Sequence, residues 1–143
     1  MRTHMMGGVV LAMGLWAGAA QAKSASTLVN VADLKWADVP GLAGVHAAPA
    51  EGDPGKGASH FFVKFDKGFK SPPHHHSADH FVTVVSGTLM LTVDGKDVSL
   101  PAGSYFSFRG KQVHTTACDA AADCVLLIDA RRKWDVVPEK APK

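Results

Sequence analysis

From residue 60 to residue 130 the chain runs through short segments rich in Val, Phe, Thr and Leu, punctuated by Gly, Pro or Asp. They are 60–66 (HFFVKFD), 80–87 (HFVTVVSG), 88–95 (TLMLTVDG), 96–100 (KDVSL), 104–108 (SYFSF) and 124–130 (CVLLIDA). Runs of this length and composition read as β-strands. Several alternate: Leu89, Leu91 and Val93 face away from Thr88, Met90 and Thr92. Asp94-Gly95 supplies the two residues that tolerate positive φ in a tight hairpin. No segment makes a convincing helix. The pattern therefore predicts an all-β domain, an antiparallel sandwich or barrel.

The first 22 residues stand outside this pattern. Arg2 precedes an apolar stretch from Gly7 to Ala20, which closes on Ala20-Gln21-Ala22, the small-x-small pattern that signal peptidase accepts. We expect a signal peptide cleaved after Ala22, which would make the mature protein periplasmic or secreted. The alternative, a retained membrane anchor, needs a longer apolar run, and no second hydrophobic segment follows. No membrane role is expected once the leader is removed. Residues 23–57 are Pro-, Gly- and Ala-rich and are expected to form an irregular segment packing on the barrel, with short extended pieces at 34–36 and 44–47. The barrel is expected over 58–137, and 138–143 (PEKAPK) reads as a disordered tail.

Without Arg2 the chain keeps 14 basic against 13 acidic residues. That near-neutral balance gives no basic patch for phosphate neutralisation, so nucleic acid is not an expected partner. Cys118 and Cys124 flank the short polar run DAAAD. In an exported protein an even cysteine count suggests a disulfide closing a small loop between two strands; two free buried thiols are the alternative.

The stretch 72–87 (PPHHHSADHFVTVVSG) carries the chemistry. In extended backbone His74 and His76 point to one face and His75 to the other. His80 opens the next strand and can turn to the same interior across Ser77-Ala78-Asp79. His114 stands on a later strand. The alternative is a partly exposed polar turn, but Phe81, Val82, Val84 and Val85 follow at once and carry the segment into the core, where buried imidazoles need partners. Neutral imidazoles suit Zn, Ni, Cu or Fe and suit Mg or Ca poorly. Asp79 is an alternative oxygen ligand if a bulge shifts the register by one. His46 and His60 have no spacing logic and read as surface or strand residues.

The same spacing resembles the cupin superfamily. Gly68, five residues, His74-x-His76, three residues, His80, six residues and Gly87 follow the family's first motif, except that His80 stands where the motif has glutamate. Gly103, five residues, Arg109-Gly110-Lys111, two residues and His114 follow the second, with Arg109 and Lys111 replacing a proline and a glycine. The resemblance covers 58–130 and is similar to small exported single-domain cupins. It implies a double-stranded β-helix, or jelly-roll barrel, with one divalent transition metal held by His74, His76, His80 and His114. A small-molecule substrate or ligand and a homodimer through exposed sheet edges are further implications of the family alone. Arg109 and Lys111 are read as a solvated face, with attraction of an anionic substrate at the barrel mouth as the alternative. Phe62, Phe81, Tyr105, Phe106 and Phe108 are expected to divide between core and pocket wall.

Two function classes follow. In one, the protein is a metal-dependent, dioxygenase-like enzyme, the metal carrying the chemistry because no separate nucleophile or general base is visible. In the other it binds a metal or small ligand without turnover. Fold does not choose between them.

Overall fold

The computed structural model describes residues 25–140. The expected leader at 1–22 and the last three residues of the expected tail lie outside them. After a 3₁₀ turn at Val31–Asp33, capped by the Asn30 side chain, come eleven strands. They are β1 (Ala37–Asp38), β2 (Val45–Glu51), β3 (Ser59–Phe65), β4 (His74–His75), β5 (His80–Ser86) and β6 (Thr88–Val93), then β7 (Lys96–Pro101), β8 (Tyr105–Phe108), β9 (His114–Cys118), β10 (Cys124–Ala130) and β11 (Val137–Pro138).

Two antiparallel sheets face one another. One has the order β1-β2-β3-β10-β5-β8 and the other β11-β4-β9-β6-β7. Side-chain alternation decides what lies between them. Val82 and Val84 of β5, Leu89 and Leu91 of β6, and Leu126 and Ile128 of β10 are buried, together with Phe61 and Val63 of β3. Their neighbours on the same strands are exposed or half-buried. At about 25 cal/mol per Å2 of apolar surface, this interleaved interior is the main favourable term, since the described residues contain no α-helix. The β6–β7 hairpin turns at Asp94 and Gly95, both at positive φ (51° and 73°), as two-residue hairpins require. Gly87, between β5 and β6, has φ +78°, and a Cβ there would lie 2.5 Å from the carbonyl oxygen of Asp123.

Cys118 at the end of β9 and Cys124 at the start of β10 form a disulfide. The N-terminal segment is more regular than its composition suggests. Val45–Glu51 is a seven-residue strand along β3, where the sequence pointed only to an extended piece at 44–47. Ala and Pro are weak strand formers, and Pro49 is accommodated next to a register shift between Pro49 and Glu51. The 34–36 piece lies just before the short β1 pairing with β2. At the other end Pro138, expected in the tail, pairs with His74, and the Glu139 N–H donates to the carbonyl of Pro73 at 3.0 Å.

Candidate metal centre

His74 and His114 are cross-strand partners of β4 and β9, so their rings share the interior face. Their centroids are 4.4 Å apart, and the His76 ring lies 5.1 Å from His74 and 5.3 Å from His114. One ring nitrogen from each of His74, His76 and His114 lies within 4.8 Å of the other two. All three residues are buried. His80 enters from the opposite sheet, at the first position of β5, where it pairs with Ala130 and Phe108. It is 3% exposed, and its ring centroid is 4.9 Å from that of His76.

Each of these imidazoles is oriented by a backbone carbonyl. Nδ1–H of His74 donates to Pro72 (3.0 Å), of His80 to Ala78 (3.1 Å) and of His114 to Gln112 (2.9 Å), while that of His76 donates to Asp135. A carbonyl oxygen can only accept, so Nδ1 carries the proton and Nε2 keeps its lone pair. This tautomer, with the outer nitrogen held by a carbonyl, is the arrangement that metal-ligating histidines use. The nitrogens of His74, His76 and His114 therefore fit a divalent transition metal, while His80 is not part of the group that lies within 4.8 Å.

Residues 61–128 match the cupin domain family. The chain carries a cupin domain. Among solved structures, the cupin is similar to the polyketide cyclase RemF from Streptomyces resistomycificus, at 17% identity and a TM-score of 0.68, over 83% of this chain and 89% of that one. It is also similar to KdgF from Halomonas sp. (24% identity, TM-score 0.62, 76% and 96% covered). An RmlC-like cupin from Shewanella frigidimarina matches at 20% identity and a TM-score of 0.61, over 75% and 91% of the two chains. At these identities the likeness concerns fold alone. No curated protein matches the sequence.

Burial favours the neutral form of His74, His76, His80 and His114. Desolvation pushes His76 down to about 3 against the opposing Asp135 hydrogen bond, with the imidazoles of His80, His114 and His74 adding to the fall. It pushes His114 down to about 4 and lowers His74 and His80 as well. Asp79, the alternative ligand, is turned away: its carboxylate accepts from the Gly110 N–H (2.8 Å) and from Arg109 (3.3 Å). No bulge occurs at that point, because the pairing of β5 with β10 stays regular from Ala130↔His80 to Leu126↔Val84. His75 faces away from the cluster, its Nδ1 paired with Glu139.

The loop that replaces the second motif's proline turn supports His76. Lys111 N–H donates to the His76 carbonyl at 2.8 Å, and Lys111 adopts φ +70°, at the position of the family glycine. Gly110 passes so close to Ser77 that a Cβ would lie 2.5 Å from its carbonyl oxygen. Arg109 and Lys111 are exposed, as a solvated face would be.

A cavity of about 870 Å3 opens beside His74 and His76. None of the five aromatics expected to contribute wall lines it. Phe108 stacks on His114 at 4.3 Å, Phe81 lies under Arg131, and Tyr105 is 61% exposed. The aromatic walls are Phe61, Phe65, Phe69 and Trp134. Trp134 stacks on the His76 ring at 3.9 Å and meets His80 edge-on at 4.7 Å. It lies beyond the last long strand in the run RRKWDVV, where no periodicity marks it. Its one signal is a large apolar side chain in a charged run.

Proposed function

We propose that this is an exported cupin holding one divalent transition metal (Zn, Ni, Cu or Fe) on His74, His76, His80 and His114. It would act on a small molecule in the adjoining cavity as a metal-dependent, dioxygenase-like oxidoreductase. The observation that carries the proposal is the shared orientation of the four imidazoles, each with Nδ1–H committed to a carbonyl and Nε2 left free. When bound, the metal supplies Lewis acidity or, as iron, activation of dioxygen. The chain's own part is to present neutral ligands from two sheets, hold His76 between Trp134 and the Asp135 carbonyl, and line the adjoining space with apolar side chains. His80 in place of a glutamate leaves the ligand set without negative charge, which favours an anionic or oxygen-rich substrate group there. Export is supported by the signal-like sequence pattern of residues 1–22 and by the disulfide, a bond that persists in oxidising compartments.

The cavity lining favours the second reading, a non-catalytic binding or sensing protein. Apart from His74 and His76, Lys70 and Asp135 are its titratable side chains among the described residues, and Asp135 is engaged with the Ser77 N–H. Oxygen uptake by the iron-loaded protein over a panel of diketones, phenols and thiols separates the two. Turnover that disappears in His76→Ala supports the enzyme; no turnover with any panel member and any of the four metals supports binding.

A further inference from the structure

The cavity's recognition chemistry can be read from its walls. Val39, Leu42 and Val45 of the N-terminal segment supply aliphatic surface, and Phe61, Phe65 and Trp134 supply rings. Phe65 and Phe69 stack at 4.8 Å and 17°, giving one wall a flat aromatic stretch. Its polar side chains are mostly occupied: Ser71 Oγ accepts from the Thr116 N–H, and Asp135 accepts from the Ser77 N–H. Besides the Thr116 hydroxyl, two recognition elements are left. One is the inner end at His74 and His76. The other is Lys70, which lines the cavity, is exposed, and makes no ion pair among the described residues.

We propose that this cavity binds an organic monoanion with an apolar, ring-bearing body, a carboxylate in the simplest case, with its charge at Lys70 and its rings against Phe65 and Phe69. The volume is within the range of small-molecule sites, and a largely apolar lining with few placed polar groups is their usual makeup. Much of the selective wall lies outside residues 61–128: Val39, Leu42 and Val45 precede the family match and Trp134 and Val136 follow it. The two flanking segments thus add aliphatic surface and an indole to a site whose charge and stacked rings, Lys70, Phe65 and Phe69, lie within the match. The proposal deepens the reading of the histidines as a metal centre, but the binding step itself requires only Lys70 and the walls.

Calorimetry on the full folded chain, metal-free and zinc-loaded, tests it with three probes: 2-naphthoate, its neutral isostere 2-naphthamide, and acetate. The expected result is that 2-naphthoate binds in both forms, about fivefold tighter than 2-naphthamide, the range for a partly exposed charge contact, while acetate shows no binding. Lys70→Gln equalises the two naphthalene compounds, Lys70→Glu reverses their order, and Leu42→Ala weakens both alike. Equal affinities in the unaltered protein, a carboxylate preference that survives Lys70→Gln, or no binding of either compound overturns the proposal. A preference confined to the zinc form and insensitive to Lys70 also overturns it while leaving the metal centre standing. A failure of zinc to bind, with the metal-free preference intact, overturns the metal reading and leaves this one.

Discussion

Lowering the pH from 7.5 to 4.5 should unfold or severely weaken the metal-free protein, and the cause is the histidine cluster. An unfolded histidine titrates near 6.5, whereas burial holds His76 at about 3 and His114 at about 4. Between those values the unfolded chain binds protons that the folded chain refuses, so stability falls as pH drops below 6.5 and levels off only below about 3 to 4. Each refused proton costs about 1.4 kcal/mol per pH unit. Over the two units from 6.5 to 4.5 the pair costs about 5 kcal/mol, with His74 and His80 adding in the same direction. That is comparable with the whole stability of a domain this size, about 5–15 kcal/mol. Urea unfolding of metal-free protein, followed by far-UV circular dichroism at pH 7.5, 6.5, 5.5 and 4.5, measures the slope directly. We expect little change above 6.5, then a loss approaching about 3 kcal/mol per unit as the unfolded histidines become protonated, and a slope shallower by one proton in His76→Gln. Constant stability between pH 6.5 and 4.5 would refute the burial argument.

Lys111→Gly should raise stability by about 0.5–1 kcal/mol, because the left-handed backbone at φ +70° strains any residue with a Cβ; chemical denaturation at pH 7.5 checks it, and a loss would count against strain there. Opening the Cys118–Cys124 bond with a reductant, or replacing both residues by serine, should cost about 2 kcal/mol, the chain-entropy value for a loop this short. His46 reaches Asp38 with Nδ1 (2.8 Å) and Asp66 with Nε2 (2.9 Å). Hydrogen bonding to Asp66 and then Asp38 raises its pKa, against burial and the charge of Lys64. This contribution is present below 6.5 and lost as pH rises through the raised value, so His46→Gln should cost under about 1 kcal/mol at pH 6 and less at pH 9. Paired denaturation curves at the two pH values decide it.

What the sequence disclosed, and what it hid, follows from the range of the interactions. Strand parity is local, so it placed His74 and His76 inside and His75 outside, and turn chemistry at Asp94-Gly95 located a hairpin. The regular register of β5 set His80 inward and Asp79 outward, as the spacing favoured. The groups that orient the imidazoles are backbone carbonyls of Pro72, Ala78, Gln112 and Asp135, and a carbonyl leaves no mark in a sequence. The cavity walls depend on contacts between distant segments: Leu42 and Trp134 face one space only once β2 and β11 are in place. Only the 44–47 part of the strand Val45–Glu51 was legible, because Ala and Pro weaken the strand signal, and its pairing with β3 supplies what propensity does not.

The most direct test of the central claim is long-range proton–nitrogen NMR of the four interior imidazoles during a zinc titration of untagged protein. The account predicts that His74, His76, His80 and His114 all begin as the Nδ1–H tautomer. Their Nε2 resonances should then shift together and saturate at one zinc per chain, while His46, His60 and His75 stay in place. Protonated Nε2 in the starting state, or saturation without movement of His76 and His114, would contradict it; movement of three imidazoles with His80 unchanged would remove the fourth ligand.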